Sequence, residues 1–403
     1  MIAAPMIVRV LALAGTLLLA ACQTTPVAPP ARPSPPAATG RVVYTPVAYD
    51  ALPGWSSDAQ DAAWPALLAG CRALVDAPAT RDAWTPICND AAAAGAPDAA
   101  AARAFFEAHF TAYRVADAGG LDTGLVTGYY EPLLQGDRSP SERYAVPLYG
   151  VPDDLLVVDL ASLYPELKGK RVRGRLDGRR IVPYWSRAEI DAGKPDLHDK
   201  ALAYVADAVE AFFLEIQGSG RIALPGGGVM RVGYADQNGH PFHSIARVLI
   251  DRGELTADTA SMQAIKAWGR AHRDALPALL AENPSYVFFR EIPAPAPGSL
   301  EARIDGPIGS LGVPLLAQRT IAVDTRYVPL GTPVFLDTTN PVTQAGIERL
   351  TFAQDTGGAI RGIARADYFW GFGDAAGREA GRMRQQGRMW ILWPRGATLP
   401  GAG

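Results

Sequence analysis

From Gly119-Gly120 onward, short apolar runs alternate with glycine and proline, and this punctuation limits the fold more than any other feature. Proline has no N–H for a helix and glycine loses the most backbone freedom on ordering, so neither suits a helix interior. The 403 residues include 41 glycines and 34 prolines, which points to a turn-rich, strand-rich architecture. Strands are expected at 125–130, closed by Glu131-Pro132, and at 144–148, 155–158, 212–217 and 286–290, with one helix from 261 to about 280. The clearest strands come last, at 320–323, 332–336, 350–354 and 388–393. Between them Asp374 is expected to cap a helix to about Gln386, stopped by Gly387. Short strands with tight turns and one interposed helix suggest a small barrel. Ahead of Gly119, the Ala-rich stretch 55–113 has helical apolar spacing at 64–68 and 102–106, and two or three packing helices are expected there.

The N-terminus has a separate role. Arg9 is the only charge before an apolar run over residues 10–21. As a helix that run rises about 18 Å, short of a ~30 Å hydrocarbon core, so it is an export signal and not a membrane span. It ends in Leu19-Ala20-Ala21-Cys22, which resembles the bacterial lipobox, with cleavage after residue 21 and acylation of Cys22. The alternative is a plain secretory signal with an incidental cysteine. Gln23, in place of Asp, resembles the sorting signal for the outer membrane. Several acyl chains, at ~0.8 kcal/mol per buried CH₂, would hold the chain there. Residues 1–21 are therefore expected to be a lipoprotein signal peptide and 22–45 a Pro-rich tether. In an oxidising periplasm Cys71 and Cys88 either form a disulfide, worth about 3 kcal/mol in the chain-entropy model, or remain two buried thiols.

With 38 Lys+Arg against 41 Asp+Glu, the formal net charge is −3. No nucleic-acid partner is expected, since counterion release from phosphates needs a basic surplus. Gly218-Ser219-Gly220-Arg221-Ile222-Ala223 matches a dinucleotide fingerprint in form, but a turn follows where a helix is required. Ser219 is not a nucleophile elbow, because Gln217 stands where the first glycine belongs. His240 and His243 lack a third ligand nearby, so no metal is expected. The carboxylates carry more. Asp324, Asp355 and Asp367 each fall at a strand end or turn. Asp355 precedes Thr356-Gly357-Gly358, where glycines admit close ligand approach and the Thr hydroxyl and turn amides can orient the carboxylate. An ordinary Asx-turn fits the same residues. Tyr129 and Tyr130 precede Glu131, and Tyr368-Phe369-Trp370 follow Asp367. Such aromatics suit either a sugar-binding groove or core packing.

In combination and order, several segments resemble the membrane-bound lytic murein transglycosylase A family. They are Gly128-Tyr129-Tyr130-Glu131-Pro132, Glu215 through Arg221, Asn283 through Phe289, Ile321 through Asp324, Val328-Pro329-Leu330-Gly331, Ala353 through Gly362, and Asp367 through Gly371. The resemblance implies a mainly β fold with flanking helices: a double-psi β-barrel domain interrupted by a second β-rich domain. The barrel would take 46–135 plus 284–396, the insert 136–283, and the tail 397–403. It also implies cleavage of the MurNAc-β-1,4-GlcNAc bond of peptidoglycan without water, leaving 1,6-anhydro-MurNAc ends and needing no cofactor. Asp355 matches the family's catalytic acid, acting next as base, with Asp324 and Asp367 in support. Tyr129, Tyr130, Glu131, Gln217, Ser219, Gly220, Arg221, Thr356, Gly357 and Gly358 are the implied substrate-binding positions. The implied partners are glycan strands and, through the N-terminal lipid, a membrane; no protein partner is implied. Two readings compete. Asp355-Thr356-Gly357 also spells the aspartic-protease triplet, but that chemistry needs two facing copies, and Asp324-Thr325-Arg326 has Arg where Gly is required. A non-catalytic glycan-binding lipoprotein would use the same groove.

Overall fold

The computed structural model of the protein describes residues 40–167 and 172–400. The expected signal peptide, Cys22, tether residues 22–39 and tail residues 401–403 lie outside the described residues. No helix among the described residues is long and apolar enough to cross a membrane.

Eight strands form one sheet: β1 (Val42–Val47), β2 (Phe110–Asp117), β3 (Thr123–Glu131), β4 (Thr320–Val323), β5 (Pro333–Thr339), β6 (Gly346–Asp355), β7 (Ala366–Phe372) and β8 (Arg384–Pro394). Six of them close into a ring in the order β3-β7-β4-β6-β5-β8, because the first half of β8 pairs back onto β3. The second half of β8 pairs with β5 on one side and β2 on the other. Strand alternation decides which residues face inward. Val334, Leu336, Ala353, Met389 and Ile391 pack together in the ring core. Their alternates Phe335, Phe352 and Trp390 pack against three helices. These are α1 (Trp64–Asp76), α2 (Arg81–Ala94) and α3 (Ala99–His109), as the Ala-rich stretch predicted. Pro65 sits in the first turn of α1, where no N–H is needed, and Asp98 caps α3 through Ala101 N–H. Cys71 and Cys88 form a disulfide between α1 and α2.

A second sheet, six-stranded, starts at Leu133–Asp137 and ends at Val287–Ile292. Its entry strand follows the ring strand β3 in the chain, and its exit strand precedes β4. This is a mainly β protein with helices and a β-rich insert. Three expected elements differ. Residues 212–217 belong to a helix, Ala208–Gln217, and not a strand: Asp207 accepts from Val209 and Glu210 N–H at its start, and Gly218 adopts φ +76° at its end. Apolar side chains on two faces of that helix enter two different cores, which erased the periodicity. The expected 261–280 helix is two, Met262–Ala271 and Leu276–Ala281, because Pro277 starts a helix and cannot continue one. The helix expected to reach Gln386 stops at Ala380. Gly387 lies inside β8, where a Cβ would come within 2.6 Å of Val126 Cγ2.

Candidate active site

The ring register gathers the aspartates. β4 pairs in parallel with β6, aligning Ala322 with Asp355, and antiparallel with β7, aligning Ala322 with Asp367. β7 pairs in parallel with β3, aligning Asp367 with Thr127 and Phe369 with Tyr129. Alternation sends neighbours Gln354 and Asp355 to opposite faces. Gln354 is fully buried, its Nε2 donating to Ala66 O at 2.7 Å, while Asp355 is half-buried.

The Asp355 carboxyl receives hydrogen bonds from neutral groups. Oδ1 accepts from Ser310 N–H (2.9 Å), Ser310 Oγ (2.7 Å) and Thr356 N–H (2.9 Å); Oδ2 accepts from Tyr129 OH (3.1 Å). Burial raises its pKa, and although those donors pull the other way, the net shift is upward. The expected role of the Thr356 hydroxyl needs correction: it donates to Val323 O at 3.0 Å, so the amide of Thr356 does the orienting. Half-buried Gly357 and exposed Gly358 continue this turn beside the carboxyl, and Gly358 has open space where a Cβ would stand.

Asp367 lies behind Tyr129. It accepts from Thr127 Oγ1, which in turn accepts from Arg365 at 2.7 Å. Burial raises its pKa first, opposed by Thr127 and Arg365 and assisted by the charge of Asp355. Tyr129 is tilted against Phe369 at 5.1 Å between ring centres. Burial, then both aspartates, push its hydroxyl well above the ordinary tyrosine value, so it remains a neutral O–H.

Asp324 has the opposite environment. Its buried carboxylate accepts from Arg326 Nε (2.9 Å) and Nη2 (2.6 Å), and from Gly362 N–H (2.8 Å). Burial alone would raise its pKa, but the Arg326 and backbone hydrogen bonds outweigh burial and lower it. Asp324 stays ionised and anchors the turn before β7.

Of the other expected residues, several form the joint between ring and insert. Tyr130 N–H donates to Gln217 Oε1 at 3.1 Å. Arg221 bonds Glu131 at 2.9 Å and Asp305 at 3.0 Å, and its guanidinium lies 4.1 Å from the Phe372 ring centre. Glu131 is 1% exposed and ion-paired, and Gly220 is buried where a Cβ would strike Leu214 at 2.4 Å. These two therefore hold the joint and present no free polar group to a ligand, unlike half-buried Ser219 and Gln217. His240 has a local partner, its Nε2 lying 2.7 Å from Tyr184 O. Ser310 and Asp305 were missed by sequence reasoning. The available signal was the Gly309-Ser310-Leu311-Gly312 run, whose paired glycines mark a tight turn.

Two family models match the chain: the MltA specific insert domain over residues 125–290 and the 3D domain over residues 319–393. A curated relative, the membrane-bound lytic murein transglycosylase A of Escherichia coli (strain K12), is 36% identical over 286 residues, covering 69% of this chain and 66% of the relative. That match spans just under two thirds of the relative's length. The crystal structure of MltA from Neisseria gonorrhoeae, monoclinic form, is 39% identical, covers 90% of this chain and 96% of that one, and superposes with a TM-score of 0.78. The E. coli MltA structure with bound chitohexaose is 26% identical, covers 89% and 96%, and gives a TM-score of 0.63. On the fold, the two domain matches and the near-complete overlap with solved relatives, the chain belongs to the membrane-bound lytic murein transglycosylase A family.

Proposed function

We propose that this protein cleaves the β-1,4 bond between N-acetylmuramic acid and N-acetylglucosamine in peptidoglycan without water. Asp355 gives its proton to the departing glucosamine O4 as the C1–O4 bond breaks. The muramyl 6-hydroxyl then bonds to C1 and returns its proton to the carboxylate, closing a 1,6-anhydro ring. One carboxyl acts in both directions, so no second carboxylate is needed to activate water. The observation that carries this reading is the Asp355 environment: a half-buried carboxyl with a raised pKa, held only by neutral donors, beside a glycine-rich turn that admits a ligand. A carboxyl has to be protonated near neutral pH to serve as an acid. The chitohexaose bound by the E. coli relative supports a linear β-1,4-linked amino-sugar strand as the ligand class.

Asp324 and Asp367 act in support, Asp324 by fixing geometry and Asp367 through its titration coupled to that of Asp355. Tyr129, Thr356, Gly357, Gly358, Ser219 and Gln217 border the sugar path, while Tyr130, Glu131, Gly220 and Arg221 hold its wall. The relatives' membrane-bound character and the lipobox-like Cys22 support an acylated N-terminus on the periplasmic face of the outer membrane.

The test is mass analysis of purified glycan strands digested with the protein and with Asp355→Asn. Anhydromuramyl ends that vanish in the variant are expected. Reducing ends would mean hydrolysis, and binding without cleavage by either form would mean a glycan-binding lipoprotein.

A further inference from the structure

We propose that Ser310 is a positioning residue that keeps the transferable proton of Asp355 on Oδ2 by saturating Oδ1 with donors. This rests on Asp355 being the acid. A carboxyl oxygen has two in-plane lone pairs. Oδ1 already accepts three hydrogen bonds, at 2.9, 2.7 and 2.9 Å, two of them from Ser310. A proton added there would meet the Ser310 and Thr356 N–H hydrogens head-on and would cost the Ser310 hydroxyl its donor role. Oδ2 has one protein partner, the Tyr129 hydroxyl at 3.1 Å, so the proton placed there stays free to reach the leaving oxygen. After transfer, the negative charge is shared with an Oδ1 already held by three donors, which readies Oδ2 to take the 6-hydroxyl proton back.

Ser310 is held firmly enough for this task. It sits on the segment that returns from the insert to β4. Leu311 N–H donates to Gln354 O at 3.0 Å, directly beside Asp355, and Gly309 N–H donates to Val313 O at 3.0 Å. A Cβ on Gly309 would come within 2.8 Å of Gln354 O, and one on Gly306 within 1.8 Å of Leu315 O. Only glycine lets the segment lie this close to β6. At its start Asp305 accepts from Arg221, and Gly306 O accepts from Arg231. The insert's own arginines therefore hold in place the strand of chain that delivers Ser310.

The ionisable groups facing Asp355 are Tyr129 from β3 and Asp367 from β7, with Arg365 beyond Asp367. From β4, Asp324 is turned to Arg326, and from the returning segment Asp305 is turned to Arg221. None of them replaces the Ser310 hydroxyl.

The experiment measures kcat, KM and the pH profile of anhydromuramyl-end release for the full chain, Ser310→Ala, Ser310→Thr and Asp355→Asn. Ser310→Ala keeps the amide and loses the hydroxyl. Its kcat should fall on the order of tenfold, KM should hold, and the alkaline limb should move to higher pH because the carboxylate has lost a donor. Ser310→Thr should restore both. An unmoved pH profile in Ser310→Ala, or a raised KM at constant kcat, overturns the inference while leaving Asp355 as the acid. Retained cleavage by Asp355→Asn overturns the acid assignment itself and the inference with it.

Discussion

Asp324 directly follows β4 and Asp355 ends β6, two strands that run side by side in parallel, yet their surroundings give them opposite chemistry. Asp324 faces a guanidinium at 2.6 Å and a backbone N–H at 2.8 Å, and its pKa is lowered. Asp355 faces two hydroxyls and two amides, all neutral, and its pKa is raised. Position in the sheet does not distinguish them. Between these two, Asp324 meets a formal positive charge and Asp355 only dipoles, which stabilise an anion less than a paired cation does. Under the proposed function, one aspartate is thus part of the scaffold and the other the proton carrier.

The contrast breaks most visibly at Asp355 itself. Asp355→Asn should lower the rate of anhydromuramyl-end formation about 10²–10⁴-fold in a digest of glycan strands, with glycan binding retained. Asp324→Asn should leave the acid in place and cost fold stability instead, about 1–3 kcal/mol by urea denaturation at neutral pH. The sign with pH follows from its lowered pKa. The stabilisation is complete above the unfolded value near 3.9 and is lost as pH falls through the folded pKa, so this difference in stability should shrink in acid.

Asp367→Asn sharpens the comparison from the other side. A carboxyl whose folded pKa lies above the unfolded value subtracts stability once pH exceeds the unfolded value, and fully so above the folded pKa. Removing it should raise Tm at neutral pH, with the gain vanishing in acid. The smallest effect is expected from Arg326→Gln. The Arg326 side chain is 51% exposed, and solvent-screened pairs contribute below about 1 kcal/mol. Asp324 should then titrate higher, as an NMR titration of its carboxyl would read.

Sequence patterns reached the ring more fully than the insert, for a physical reason. In β4 to β8 each strand buries one face in the ring core, and turns such as Pro329-Leu330-Gly331 mark the ends, so alternation and punctuation agree. In the insert, the Ala208–Gln217 helix buries two faces, and its Phe212-Phe213-Leu214 run reads as a strand unless Asp207 and Gly218 are weighed as caps. The opening strands β1 and β2 were hidden by the Ala-rich helices between them. At the site, Asp355 and its glycine turn were legible because the chemistry is written in consecutive residues. Ser310 was not, because its contact with Asp355 spans 45 positions and depends on a glycine-lined approach visible only in three dimensions.

The most direct test of the central claim is an NMR titration of the Asp355 and Asp324 side-chain carboxyls in one sample, assigned by the Asn variants. Asp355 should titrate above the usual carboxylate range and Asp324 below it. Equal midpoints, or the reverse order, would contradict the assignment of acid and scaffold.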